Sequence, residues 1–164
     1  MIPYNEEYWQ RRIKQYLDES WSSRPSYFAK EVKPYLKPES KILELGAGAG
    51  QDGLWFESEG FSVVISDADD VAFGDIAKKS KHGTVPIKLD VQNKFPFEDS
   101  LFDVVYAQLV LHYFDDEATA GIIAEILRVL KPGGILACMV NSINDPEYDP
   151  AKESKDNLNN INGL

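Results

Sequence analysis

At 164 residues, 43% of them hydrophobic, the chain is sized for one domain with a real core. Its 27 acidic residues against 17 basic ones leave a net charge of −10, a surface that repels phosphate backbones and disfavours a nucleic-acid substrate. One cysteine, Cys138, excludes an internal disulfide and a cysteine-rich zinc site, so no metal is expected. The first residues lack the basic-then-apolar pattern of a signal peptide, and no apolar run approaches the ~20 residues that span a bilayer. The expectation is a cytoplasmic protein without a membrane partner.

Residues Glu6 to Leu17 predict an amphipathic helix, with Trp9, Ile13, Tyr16 and Leu17 at helical intervals and Arg11, Arg12 and Lys14 between them. Ser26 to Leu36 predicts a second, in which Pro34 falls late enough to kink or end it. A first strand starts near Lys41 and runs through Ile42-Leu43-Glu44-Leu45 into Gly46-Ala47-Gly48-Ala49-Gly50. Gln51 to Glu59 then reads as a helix stopped by Gly60. A second strand, Phe61 to Ser66, ends at Asp67. Asp70 to Lys79 predicts a helix capped by Asp69 or Asp70.

The third strand is Thr84 to Leu89, ending at Asp90. After a loop at Phe95–Ser100 comes a fourth, Leu101 to Ala107. Asp116 to Leu130 carries Ile122, Ile123, Ile126 and Leu127 on one face and is stopped by Lys131-Pro132-Gly133-Gly134. A fifth strand follows, and within it Cys138 reads as a buried, inert thiol. Residues 143–164 hold Asp145, Glu147, Asp149, Glu153 and Asp156 against Lys152 and Lys155 and are expected to form a polar, mobile tail. The organisation is therefore a core over residues 1–142, with N-terminal helices over about 1–38 acting as a lid, and a tail over 143–164. Strands alternating with helices argue for an α/β fold, a doubly wound parallel Rossmann-like sheet flanked by helices, with ligands at the strands' carboxyl ends.

The three alternating glycines suit a tight strand-to-helix turn where the backbone meets a ligand that a Cβ would obstruct. A dinucleotide fingerprint fits less well, because Gln51 stands where its last glycine belongs, and a P-loop would need Gly-Lys-Ser/Thr. Glu44, at the tip of the first strand, suits a ligand with a cationic group and is a poor neighbour for pyrophosphate. Asp67, at the tip of the second strand, is positioned to accept hydrogen bonds from two ribose hydroxyls. The intervals from Glu44 to Asp67 and from Asp67 to Asp90 are equal, so each acid closes one strand of a regular βα repeat.

Glu44-x-Gly46-x-Gly48-x-Gly50 resembles motif I of the class I S-adenosylmethionine (SAM) dependent methyltransferases. The likeness continues in Phe102-Asp103-Val104-Val105-Tyr106-Ala107 and in Leu127-Arg128-Val129-Leu130-Lys131-Pro132-Gly133-Gly134, the latter typical of the small-molecule and ubiquinone-type branches. It runs from Lys41 to Asn141. The resemblance implies the strand order 3-2-1-4-5, SAM as cofactor and S-adenosylhomocysteine as product. It implies that Gly46, Ala47, Gly48 and Gly50 pass under the methionine part. Asp67 and Ala68 then serve the ribose, Asp90 the adenine amino group, and the Val91 backbone the ring.

Gln108 is expected to border the methionine end. Tyr4, Tyr8 and Trp9 either close over the cofactor or simply pack a helix. His112, just after the fourth strand, is either a general base or a structural histidine. The Asn/Asp-Pro-Pro-Tyr/Phe motif of amino-group methyltransferases acting on DNA bases or protein glutamine is absent. The family's sixth and seventh strands have no counterpart after Ser142, which would open a sheet edge to the tail, a second copy or another partner. Methyl transfer to a small-molecule acceptor is the expected function. A non-catalytic SAM-binding or partner-binding relative is the alternative, and Glu44 and Gln51 speak against a nucleotide-dependent oxidoreductase.

Overall fold

The computed structural model describes residues 6–142. The elements run α1 (Glu6–Asp18), α2 (Tyr27–Val32), β1 (Lys41–Leu45), α3 (Gln51–Ser58), β2 (Ser62–Asp67), α4 (Phe73–Lys79), β3 (Ile87–Lys88), β4 (Phe102–Gln108), α5 (Asp116–Val129) and β5 (Leu130–Met139). The strands form one sheet in the order β3-β2-β1-β4-β5. Every pairing is parallel. This is the doubly wound Rossmann-like α/β arrangement that the alternating pattern predicts.

Side-chain alternation divides the core between the two faces of the sheet. Leu43, Leu45, Val105 and Ala107 pack with Ile122, Ile126 and Val129 of α5. Ile42, Val104 and Tyr106 point the other way, onto Ala29 and Val32 of α2 and Phe56 of α3. A third cluster joins Ile13 of α1 to Ile65 and Ile76. Glu44 shares the parity of Ile42, so the strand that supplies the core also delivers a carboxylate beneath α3.

The departures from the sequence expectations have local causes. α2 starts with Ser26 as its cap, the Ala29 N–H donating to its Oγ at 3.0 Å. It ends at Val32, and Pro34 sits in a 3-10 turn at Lys33–Tyr35. Neither Asp69 nor Asp70 caps α4. Asp69 instead accepts from the Val71 N–H at 2.9 Å, and the helix begins only at Phe73. The third strand shrinks to Ile87–Lys88, since Pro86 has no N–H to give the ladder. Cys138 is exposed, contrary to the buried thiol expected: it stands near the end of β5, an edge strand among the described residues. Among the described residues β3 and β5 are the sheet's edges. Tyr4 and the expected tail over 143–164 lie outside the described residues, as does any covering of the β5 edge by that tail. No helix among the described residues is long and apolar enough to cross a membrane.

Candidate functional site

A cavity of about 780 Å³ opens at the carboxyl ends of the strands. It is built from the glycine turn outward. Gly46, Gly48 and Gly50 all have positive φ (65°, 55° and 77°), a conformation that side chains oppose. A Cβ on Gly48 would meet nothing within 4 Å, which makes this the open stretch of backbone that a ligand can approach. Gly46 and Gly50 are needed for packing as well. A Cβ on Gly46 would collide with Val110, and one on Gly50 would come within 2.6 Å of Ile76.

Three acids line the cavity from three strand tips: Glu44, Asp67 and Asp90. Asp67 is locked by backbone donors, the Gly48 N–H at 2.7 Å on Oδ2 and the Asp69 N–H at 2.9 Å on Oδ1. Burial pushes its carboxyl up, and these N–H groups oppose the shift. One carboxylate therefore ties the glycine turn to the end of β2 while keeping lone pairs for hydroxyl donors. Asp90 orders its own turn, accepting from the Gln92 N–H and the Asn93 amide, each at 3.0 Å.

Glu44 is 3% exposed. Its Oε1 accepts from the Gly53 N–H at 3.1 Å, and its Oε2 is buried with no hydrogen-bond partner among the described residues. Burial first, then the charge of Asp52, holds its carboxyl well above the usual range. An orphaned carboxylate oxygen at the foot of a cavity is a standing demand for a donor or a cation.

Asp52 also lines the cavity, a position that the sequence reading missed. It accepts from the Ser26 N–H (2.7 Å), the Ser26 hydroxyl (2.8 Å) and the Tyr106 hydroxyl (2.6 Å). The first turn of α3 is thereby fastened to the start of α2 and to β4. Burial and then the charge of Asp52 push the Tyr106 phenol far up, so Tyr106 stays protonated and serves as a donor. The available signal was an acid in the first turn of the helix that starts at the glycine turn, separated by Gly53 from the apolar run Leu54-Trp55-Phe56.

Ala47, Ala68, Val91 and Gln108 also line the cavity, as does Tyr8. Gly50 and His112 are not among the lining residues. Gly50 is buried behind the turn against Ile76, and the His112 ring packs on Tyr113 with centroids 4.1 Å apart. The α1 wall adds Trp9, Arg12 and Tyr16, and the turn after β4 adds Tyr113 and Phe114. Trp9, Arg12 and Tyr16 all line the cavity; in the sequence reading Trp9 stood open between lid and packing, Tyr16 among the apolar positions and Arg12 between them.

Residues 43–138 match the family described as "Methyltransferase domain". The chain belongs to that family. This methyltransferase domain is 33% identical over 102 residues to an uncharacterized methyltransferase of Synechocystis, covering 62% of this chain and 47% of that protein. It is 36% identical over 98 residues to a demethylmenaquinone methyltransferase of Streptomyces avermitilis, covering 60% and 41%. The chain thus spans about half or less of the length of these curated relatives. Among solved structures, a SAM-dependent methyltransferase from Aquifex aeolicus superposes with a TM-score of 0.69 at 23% identity, covering 86% of this chain and 77% of the other. The fold is that of the class I methyltransferases, whose cofactor is SAM.

Proposed function

We propose that this domain binds SAM along the tips of β1, β2 and β3 and transfers its methyl group to a small-molecule acceptor. The reading is carried by one observation: an orphaned, buried carboxylate, an open glycine backbone and two further strand-tip acids share a single cavity wall. The residues fit the group. The Glu44 Oε2 can take the cofactor's ammonium, the Asp67 oxygens its ribose hydroxyls, and Asp90 with the Val91 backbone its adenine.

The cofactor supplies an electrophilic methyl on a sulfonium. The chain's own task is alignment in a water-poor space, because in-line displacement gains most from orientation. Trp9, Tyr16 and Tyr113 exclude water from the α1 side, and the Tyr106–Asp52–Ser26 bonds hold β4 and the start of α2 in register with the first turn of α3. Gln108 borders the end of the cavity where the methyl would be presented.

Calorimetry with SAM, S-adenosylhomocysteine and NAD tests the binding half of this reading: the two sulfur nucleosides bind and NAD does not. NAD binding without SAM binding overturns it. A methyl-release assay over a metabolite panel tests the transfer half, and tight SAM binding with no turnover across the panel would favour a non-catalytic role.

A further inference from the structure

Tyr106 and Gln108 stand two residues apart on β4, so both side chains leave the same face of the sheet. Both line the cavity, as does Asp52. The Tyr106 hydroxyl lies 2.6 Å from the Asp52 Oδ2, 3.2 Å from the Gln108 Oε1 and 3.3 Å from the Ser26 Oγ. Three neighbours compete for one phenolic proton. The carboxylate takes it, being the charged acceptor of the three and the nearest. The Ser26 hydroxyl spends its own proton on Asp52 Oδ2, at 2.8 Å. The Tyr106 oxygen is therefore left with lone pairs and no strong donor, beside an amide that owns two N–H groups. An amide oxygen in that place would only set lone pairs against lone pairs. A half-turn about the last side-chain bond puts nitrogen where the oxygen was, and it breaks no hydrogen bond of Nε2 among the described residues. The stable chain runs from the Gln108 N–H to Tyr106 and from the Tyr106 O–H to Asp52, and it leaves the Gln108 carbonyl to the cavity.

We propose that Asp52, acting through Tyr106, fixes the Gln108 amide with its carbonyl toward the methyl end of the cavity, where it accepts an N–H or O–H of the methyl acceptor. Asp52 and Tyr106 are positioning residues, and Gln108 is the one that touches the acceptor. The inference rests on the SAM reading above and narrows its acceptor to an amine or a hydroxyl. A carbonyl holds such a group by its hydrogen and leaves a lone pair free to meet the methyl carbon in line. In the transfer that lone pair forms the new bond, the carbon–sulfur bond breaks with its electrons on sulfur, and the acceptor's proton leaves to water. A carboxylate, phosphate or thiolate brings no hydrogen and meets a carbonyl dipole and the Asp52 charge instead.

The amide's orientation is read in the free whole chain by NMR of the glutamine side-chain N–H groups, with the Gln108 pair assigned by its absence from Gln108→Met. Its protons should show Overhauser contacts to the Tyr106 ring and exchange with water several-fold more slowly than those of an exposed amide. Asp52→Asn inverts the chain: the new amide donates to Tyr106, the phenol proton passes to Gln108, and contacts and slow exchange vanish together. Freely exchanging Gln108 protons without those contacts in the wild type, or an unchanged pair in Asp52→Asn, overturn the proposal. If Asp52→Asn fails to fold, Tyr106→Phe decides, because it removes the hydroxyl that the amide bonds: lost protection supports the chain and kept protection overturns it.

The acceptor class is read on protein loaded with S-adenosylhomocysteine, using benzylamine, benzyl alcohol and benzoate as probes. The expected result is that benzylamine or benzyl alcohol shifts the Gln108 signals and binds several-fold more weakly to Gln108→Met, whereas benzoate does neither. Whichever of the two binds assigns the amine or the hydroxyl. An equal effect of benzoate, or no effect of any probe, overturns the acceptor class. Protein that does not bind S-adenosylhomocysteine overturns the SAM reading itself, a result distinct from the amide orientation in the free chain.

Discussion

Glu44 and Asp67 are both buried acids, but their surroundings give them different behaviour. Asp67 has a backbone N–H on each oxygen, so Asp67→Ala removes ligand contacts and also releases the Gly48 N–H. Its expected effect is a loss of about 1–3 kcal/mol in SAM binding, read by calorimetry. Wild-type affinity would contradict its role.

Glu44 holds its proton more tightly than a free carboxyl because burial and Asp52 oppose its charge. A cation bound beside it favours the carboxylate and so expels the proton. By linkage, SAM affinity rises as pH climbs through the raised value in the free protein and falls as pH drops below it. Calorimetry in buffers of different ionisation enthalpy should therefore detect proton release on binding, and Glu44→Gln should abolish it. The raised value also means that ionising Glu44 penalises the free fold above the ordinary carboxyl range. Glu44→Gln is accordingly expected to raise the melting temperature of the free protein at neutral pH while weakening SAM.

Among the elements, α3 is tied at both its start and its β1-facing side. It begins directly at the glycine turn, and it runs so close to β1 that a Cβ on Gly53 would collide with the Glu44 carboxylate and come within 2.7 Å of Ile65. Alanine is the better helix former, but overpacking decides the outcome here. Gly53→Ala should cost about 1–3 kcal/mol in denaturant unfolding and should weaken SAM through the displaced carboxylate. A neutral or stabilising effect would mean that the close approach of α3 to β1 is not tight.

α5 makes a different sort of join. Asp115 caps its start, accepting from the Ala118 N–H at 2.8 Å. At its end Arg128 bonds the carbonyls of Phe95 (3.0 Å) and Phe97 (2.8 Å), which pins the loop before β4 to the helix. Arg128 in the approach to β5 is therefore a loop clamp rather than a ligand group.

For the molecule as a whole, the net charge of −10 sets how charged small molecules arrive. SAM carries one net positive charge and S-adenosylhomocysteine none, so a field of this sign attracts the first and ignores the second. Raising ionic strength should slow SAM association and narrow any preference of SAM over S-adenosylhomocysteine, measured by stopped-flow. Equal salt dependence for both would show that only contacts inside the cavity matter. The N-terminal helices complete this picture, because α1 brings Tyr8, Trp9, Tyr16 and the cation Arg12 to a cavity whose strand tips carry acids.

The sequence by itself determined the sheet and the strand-tip acids. Alternation of strand and helix, the glycine turn and the even spacing of Glu44, Asp67 and Asp90 are local signals, each readable within one βα unit. Only the tertiary structure decided which polar groups meet across units. Asp52 finds Ser26 and Tyr106 from two other elements, and Gly53 is required by the nearness of β1. It also placed Gly50 behind the turn against Ile76 and the His112 ring on Tyr113, neither of them among the residues that line the cavity. Periodicity fixes which face of an element a residue occupies, whereas packing angles and chain crossings fix what lies opposite that face.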